Sequence, residues 1–375
     1  MSFNAAIVSA IKSMELNIYQ SFLSLLRLGI GHEIGYLPTR INWSEVKEQA
    51  DKQGLTAIVL DGIEKLSEKS NGILSNFSKN LRLEWIGEVL QSYDQRYDAY
   101  IKAISTLAEC YESYGFKMMV LKGYACSLDW PIPEHRPCGD IDIWQFGQWR
   151  EADEVLSKVK GIKIDNSHHH HTVFNWQGFM VENHYDFVNV HHSKSNFHLE
   201  RVFKELGTND SYSVEVCGEK VYLPSPNLHA LFLLRHAMIE FASSGINLRQ
   251  LLDWAFFVKS NGKNIDWRWL EDILSEYGMK CLYSIFNAIC VDDLGFDASL
   301  FPNVQFNPYL KDRVLNEILS PAIPNNKPKN VVSRLFWKWQ RWKANEWKHE
   351  LCYKESMWIA FWYGLWGHLL KPASI

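Results

Sequence analysis

The chain has 375 residues, too many for one ordinary hydrophobic core, so two or three domains are expected. Hydrophobic residues make up 47% and charged residues 22% of the chain, a balance that excludes wholesale disorder. The net charge of −4 gives no global attraction for nucleic acid or for an anionic membrane, which disfavours a nucleic-acid partner.

Seven cysteines lie far apart along the chain, and no pair has the C-x-x-C spacing. This pattern argues against a disulfide framework or a structural zinc site and favours a reducing compartment. The N-terminus lacks the basic-then-apolar pattern of a signal peptide, and no apolar run reaches the ~18 residues of a spanning helix. We therefore expect a cytoplasmic protein without a transmembrane segment.

In chain order, the hydrophobic pattern first predicts helices. Residues 5–28 repeat apolar side chains every three or four positions, Asn42 resembles a helix cap, and residues 81–114 form a longer helical pattern. These elements define an expected N-terminal helical region, residues 1–105.

The pattern changes after Gly115 to one typical of a small sheet. Residues 117–121 form a short apolar run, and residues 140–144 alternate acidic and apolar side chains, as strands do. A helix is predicted at 149–159, and further strands at 162–164, 171–176, 179–187 and twice within 212–223. Residues 106–225 are therefore the expected core domain.

Two prolines at 224 and 226 end this part, and helices are predicted again at 228–241 and 248–258. Residues 226–375 form the expected C-terminal helical region. The predicted fold class is α+β, with a small mixed β-sheet core packed by N- and C-terminal helical regions.

Two aspartates in the core carry the strongest chemical signal. Asp140 and Asp142 lie two positions apart on a predicted strand, so they share one face about 6.6 Å apart along the backbone. Like charges 4 Å apart repel by ~4 kcal/mol at an effective dielectric of 20, and a divalent cation between them relieves that cost. Hard oxygen ligands suit Mg²⁺ or Mn²⁺, which keep open positions for substrate phosphates.

A third carboxylate is expected from a neighbouring strand. Glu182, His184 and Asp186 share one face of the next predicted strand by the same two-residue period. Glu182 is preferred because it lies in the middle of the strand, and Asp186 is the alternative. His184 is expected to orient the carboxylate or an acceptor, and an ordinary hydrogen-bonded strand residue is the alternative.

The motif Leu121-Lys122-Gly123, then Arg136, then Gly139-Asp140-Ile141-Asp142, then Val181-Glu182-Asn183-His184 resembles a bacterial family of uncharacterised nucleotidyltransferases in the polymerase-β-like superfamily. The resemblance implies a Mg²⁺-dependent enzyme that transfers a nucleoside monophosphate from a nucleoside triphosphate (NTP) to a hydroxyl-bearing acceptor. It also implies two Mg²⁺ ions, in-line displacement and pyrophosphate release.

The same resemblance implies a role for each matching residue. Asp140, Asp142 and Glu182 would be the catalytic metal ligands. The nucleotide would be bound by Lys122, Gly123, Arg136 and Gly139. A small molecule, sugar or protein is the expected acceptor, because the chain is acidic.

Other polar residues are compatible with more than one role. His236, Arg249 and Asp253 lie on helices after the sheet and could line the acceptor side, although Arg249 and Asp253 also have the spacing of an ordinary helical ion pair. Four consecutive histidines, His168 to His171, alternate in direction on a strand. They therefore favour polar contacts near a nucleotide over a transition-metal site.

Two alternatives come from other classes of function. One is a non-catalytic regulator that binds a nucleotide. The other is a nucleic-acid-binding protein that uses residues 327–354, where eight Lys or Arg and two Glu are interleaved with four tryptophans. The following apolar residues 357–370 carry tryptophans at every fourth position; a packed helix is the plainer interpretation, and contact with a membrane surface is the alternative.

Overall fold

The computed structural model describes residues 18–34, 37, 41–69, 73–302, 305–323, 328 and 330–370. The first third of this chain is helical, as the apolar periodicity predicts. The N-terminal elements are a helix α1 over 18–29, α2 (Trp43–Gln53), α3 (Thr56–Lys69), α4 (Lys79–Val89) and α5 (Gln95–Glu112). One π-helical turn, Leu90–Asp94, joins α4 to α5, so residues 79–112 form the long helix expected. Part of the helix expected at 5–28 lies outside the described residues.

Six strands form one mixed sheet in the order β3-β4-β2-β1-β6-β5. The strands are β1 (Met119–Val120), β2 (Ile141–Trp144), β3 (His171–Trp176), β4 (Phe179–His184), β5 (Tyr212–Val216) and β6 (Glu219–Leu223). Helices α6 (Tyr124–Ser127), α7 (Trp149–Lys160) and α8 (Lys194–Asn209) lie between them in the chain. β2 pairs parallel with β4 and antiparallel with β1. The small mixed sheet expected from the sequence is present.

Helices continue to the end of the described chain. They are α9 (Pro226–Ser243), α10 (Leu248–Asn261), α11 (Trp267–Glu276), α12 (Lys280–Ala288), α13 (Pro308–Leu319), α14 (Val331–Ala344), α15 (Glu346–Cys352) and α16 (Met357–Leu370). None of the described helices is both long and apolar enough to cross a membrane. The α+β fold class predicted from the sequence is confirmed.

Three local predictions are wrong for identifiable reasons. Residues 162–164 form no strand; the chain pairs with β3 only at Asp165, through two hydrogen bonds of 2.8 Å to Val173. The strand expected at 179–187 ends at His184, because the next two backbone N–H groups both donate to the His170 carbonyl. Asn42 precedes α2, but its side chain makes no capping hydrogen bond.

Two hydrophobic clusters hold these elements. The larger one contains side chains from both the N-terminal and the C-terminal helices, and the smaller one lies between α5 and the sheet. Gln53 connects distant segments of the larger cluster, since its side chain donates to the Ile318 carbonyl at 3.0 Å and accepts from the Leu248 N–H at 2.8 Å. The domain limits at residues 105 and 225 stay a prediction, and the helices on both sides of them share this core.

Candidate active site

The sheet register places two carboxylates side by side. Asp142 on β2 lies opposite Glu182 on the parallel strand β4, while Ile141 and Val181 form the preceding pair in this register. Ile141 and Val181 are fully buried in the cluster under α5, so the strand alternation turns the two acids toward the other side. Asp142 is only 1% exposed and Glu182 is partly buried.

Two nitrogen groups, an ammonium and an imidazole, contact Asp142. The Lys122 Nζ lies 2.8 Å from Asp142 Oδ1, and the His184 Nε2 lies 3.1 Å from the same oxygen. The same His184 nitrogen is 3.5 Å from Glu182 Oε2. Asp142, Glu182 and His184 therefore offer ligand atoms within 4.8 Å of one another.

The charges in this group shift its pKa values strongly. Burial raises the pKa of Asp142, but the Lys122 charge and the His184 hydrogen bond outweigh it, so that pKa is held far below its ordinary value. Burial lowers the pKa of His184, and its hydrogen bonds to Asp142 and Glu182 outweigh that effect and raise it to about 9. His184 is therefore a cation at neutral pH when no metal ion is bound beside it.

Asp140 lies just before β2 and lines the cleft described below, outside the set formed by Asp142, Glu182 and His184. Burial and the negative charge of Asp142 raise the Asp140 pKa, which shows that the two aspartates repel each other. The Tyr100 hydroxyl donates to the Asp140 carbonyl at 2.9 Å and fixes the backbone there. The alternative third carboxylate, Asp186, lies apart from this group and is bound by Lys204.

The loop after β1 needs its glycine. Gly123 has φ 55° and ψ −100°, a conformation that side chains disfavour. A Cβ at this position would lie 2.2 Å from the Tyr100 hydroxyl oxygen, so that the loop could not approach α5 as closely. Gly123 thus allows Lys122 and the Asp140 backbone to lie together at the cleft.

A cleft of about 180 Å³ opens beside the two aspartates. Its floor is the loop after β1 and the chain entering β2, and its opposite wall is formed by α9 and α10. Lys122, Gly123, Arg136, Gly139, Asp140, Asp142, His236, Glu240, Arg249, Gln250 and Asp253 all line it. The cleft is therefore lined by every site residue predicted from the sequence except Glu182 and His184.

The two arginines of the cleft have different partners. Arg136 forms a buried, bidentate pair with Asp253, with Nε and one terminal nitrogen 2.8 and 2.9 Å from the two carboxylate oxygens. Trp130 donates a third hydrogen bond to the same carboxylate at 2.9 Å. The Asp253 carboxylate thus pairs with Arg136 and Trp130. It does not form the helical ion pair with Arg249 that the four-residue spacing suggested. The Arg249 Nε has no hydrogen-bond partner among the described residues.

His236 on α9 connects Lys122 to the far wall of the cleft. Its Nε2 lies 3.0 Å from Lys122 Nζ and 3.6 Å from a carboxylate oxygen of Glu240. Glu240 in turn accepts a hydrogen bond from the Gln250 side chain. Burial and the Lys122 charge lower the pKa of His236 well below its ordinary value, so this imidazole is neutral at neutral pH.

Three histidines converge beside the carboxylates, which the alternation argument did not predict. His170 precedes β3, and His171 on β3 pairs with His184 on β4. Ring nitrogens of the three residues lie within 4.8 Å of one another. The signal in the sequence was the histidine tract itself, but the turn of the chain at His170 could not be derived from it. Glu240 and Gln250 carry no motif by which the sequence would have identified them.

Comparisons with known proteins bear on the family of the chain. No curated protein matches the chain. Among solved structures, an antigenic nucleotidyltransferase-like protein from Paracoccidioides brasiliensis matches with 15% identity and a TM-score of 0.35, over 55% of this chain and 98% of its own. Residues 39–292 match the family described as uncharacterised nucleotidyltransferase, and this match includes both aspartates and both walls of the cleft. The chain belongs to this nucleotidyltransferase family.

Proposed function

We propose that the protein transfers a nucleoside monophosphate from an NTP to a hydroxyl-bearing acceptor. The observation that carries the proposal is the pairing of Asp142 with Glu182 on adjacent strands, next to a cleft that also holds Asp140 and three cationic side chains. Membership of the family supports the transferase class. The acidic balance of the chain favours a small molecule, sugar or protein acceptor over a nucleic acid.

The donor set fits Mg²⁺ or Mn²⁺. Asp140, Asp142 and Glu182 are carboxylates, the hard oxygen donors that these cations prefer. Burial, and after it the negative charge of Asp142, raises the pKa of Asp140, and a divalent cation would favour the ionised carboxylate against both effects. When bound, two such ions would neutralise the carboxylates and the phosphate oxygens of the in-line displacement.

The protein's own residues then have separate tasks. The Lys122 ammonium and the Arg249 guanidinium supply positive charge for the triphosphate and the leaving pyrophosphate. His184 holds Glu182 and Asp142 in position through its Nε2 contacts. Arg136 supports the cleft wall through Asp253 instead of binding phosphate. The 180 Å³ cleft is smaller than the ~300–1,000 Å³ of pockets that enclose a drug-sized ligand, so it is too small to enclose a whole NTP.

The proposal is tested by pyrophosphate release from each labelled NTP with Mg²⁺ and a cell extract that supplies acceptors. We expect Asp140→Asn with Asp142→Asn to abolish release while the circular dichroism spectrum is unchanged. The control Glu151→Gln with Glu154→Gln removes two exposed carboxylates from α7 and should retain full release. Undiminished turnover in the aspartate variant contradicts the proposal. Binding of NTP without pyrophosphate release under any condition favours the non-catalytic regulator. A cytoplasmic location stays a prediction.

A further inference from the structure

The three converging histidines, His170, His171 and His184, form a compact group that the proposed reaction does not use as a unit. Their ring centroids are 4.4 Å apart for His170 and His171, 5.5 Å for His170 and His184, and 5.2 Å for His171 and His184. His171 is 7% exposed and His184 is 3% exposed. Because ligand nitrogens of all three lie within 4.8 Å of one another, they surround a common point.

Two nitrogens in this histidine cluster lack partners. The Nδ1 atoms of His170 and His171 are buried, and neither has a hydrogen-bond partner among the described residues. A buried polar atom without a partner costs about 1–3 kcal/mol, so such atoms usually have a ligand or a water. Two such atoms in adjacent imidazoles of one cluster therefore indicate a bound species that takes nitrogen atoms as ligands.

We propose that His170, His171 and His184 bind a transition-metal ion of the Zn²⁺ class beside the carboxylate pair. Imidazole is a borderline ligand that suits Zn²⁺, whereas Mg²⁺ prefers oxygen. Three histidines are a usual protein ligand set for zinc when a fourth position stays open. Glu182 is the acid that reaches two of the histidines, since its Oε1 lies 3.8 Å from the His171 Nε2 and its Oε2 lies 3.5 Å from the His184 Nε2.

The test is a Zn²⁺ titration of metal-free full-length protein by calorimetry. We expect one Zn²⁺ per chain, with affinity reduced about tenfold or more in His170→Gln with His171→Gln. The matched control His168→Gln with His169→Gln removes two histidines of the same tract, and it should bind as the wild type does. Equal loss in the control, or no stoichiometric binding by the wild type, overturns the proposal.

Two further measurements separate this site from the carboxylate site and from a folding defect. Excess Mg²⁺ should leave the bound Zn²⁺ in place, because histidines are poor ligands for Mg²⁺. Co²⁺ bound to the unmodified protein should show the intense visible absorption of a nitrogen-ligated, low-coordinate ion. A weak octahedral spectrum, or displacement by Mg²⁺, would assign the metal to the carboxylates alone. None of these readouts requires nucleotide transfer, so this proposal can fail while the proposed function stands.

The exposed aromatic side chains of α14 and α16 lead independently to a second proposal. We call them the aromatic face: Phe336, Trp339, Trp358, Trp362 and Trp366, with exposed fractions of 56, 53, 59, 62 and 69%. Trp358, Trp362 and Trp366 are four residues apart and so share one side of α16. Trp342 connects the two helices through a ring contact of 5.0 Å with Trp358. Monomeric proteins seldom leave such a surface uncovered.

The charged residues on the two helices that carry the aromatic face are all positive. α14 carries four cations, Arg334, Lys338, Arg341 and Lys343, and no acidic residue, while α16 carries no Lys, Arg, Asp or Glu. Indole rings prefer the boundary between lipid tails and headgroups, and cations are attracted to anionic headgroups. The geometry points to an anionic lipid surface as the occupant of the aromatic face.

The test is sedimentation of the full-length protein with vesicles of phosphatidylcholine alone or mixed with phosphatidylglycerol. We expect binding to the anionic vesicles, lost in Trp358→Ala with Trp362→Ala and Trp366→Ala. Tyr309→Ala, which removes an aromatic side chain that is 77% exposed elsewhere, should bind normally. No vesicle binding overturns the proposal. Self-association or single-strand oligonucleotide binding that the tryptophan variant abolishes would assign the face to a second copy or to nucleic acid instead.

Discussion

The two arginines of the cleft should separate stability from nucleotide binding. Arg136 and Asp253 are 6% and 4% exposed, and Trp130 alone would remain as a donor to Asp253 after Arg136→Met. Removing one partner of a buried ion pair costs about 3–5 kcal/mol because the other charge stays uncompensated. This is a large part of the ~5–15 kcal/mol that holds a typical protein folded.

Arg249→Met makes the same substitution as Arg136→Met, but the Nε of Arg249 has no hydrogen-bond partner among the described residues. Its free energy of unfolding should change by no more than about 0.5 kcal/mol. Hydrogen bonds to charged groups contribute about 1.5–3 kcal/mol, so the affinity for NTP with Mg²⁺ should fall about tenfold or more.

Urea unfolding and calorimetric NTP titration measure the two quantities in the same proteins. Arg136→Met with Asp253→Leu removes both buried charges and should be more stable than Arg136→Met alone. The assignment of roles is refuted if Arg136→Met unfolds like the wild type while losing NTP affinity, or if Arg249→Met is the less stable of the two single variants.

Three further predictions concern the structure around the site. Gly123→Ala should destabilise the protein by about 1–3 kcal/mol in thermal unfolding. The control Gly87→Ala, which has open space around its Cβ, should be neutral or stabilising. Equal effects of the two substitutions would contradict the close approach of Gly123 to Tyr100. Burial lowers the pKa of His229 to about 4 from 6.5. The contribution of its neutral imidazole to the free energy of unfolding is therefore complete above pH 6.5 and is lost as the pH falls. The free energy of unfolding in urea should fall by about 2 kcal/mol between pH 7 and 5, and His229→Phe should reduce that loss. An unchanged pH dependence in His229→Phe would show that the imidazole is solvated in the folded protein. Asp153→Ala should lower the free energy of unfolding in urea by about 2–4 kcal/mol, because Thr172 and Asn183 lose their buried acceptor. A loss as small as that in the exposed control Glu151→Ala would be inconsistent with those hydrogen bonds.

Much of the architecture could be predicted because hydrophobic periodicity is a local property. The long helix through residues 79–112 and the hairpin of β5 and β6 follow directly from it. Residues 162–164 show the limit of this method, since an apolar run becomes a strand only when a neighbour pairs along its length. That neighbour is a tertiary feature.

The site was predictable in composition but not in its contacts. Alternation places Asp140 and Asp142 on one face, yet the parallel pairing of β2 with β4 is what brings Glu182 opposite Asp142. The sequence could not show that Asp253 pairs with Arg136, 117 residues away, when Arg249 lies one helical turn from it. Partner choice among charged groups depends on the packing of whole elements.

The hydrogen bonds of Gln53 have a consequence for biosynthesis. This side chain binds the backbone of residues 195 and 265 positions further along the chain. At ~5–20 residues per second, the ribosome needs roughly 10–50 s to deliver the later partner. During that time the apolar faces of the first helices have no C-terminal helices to pack against. Those apolar faces are therefore accessible to holding chaperones, and a slow stretch of codons between the two segments would lengthen their exposure.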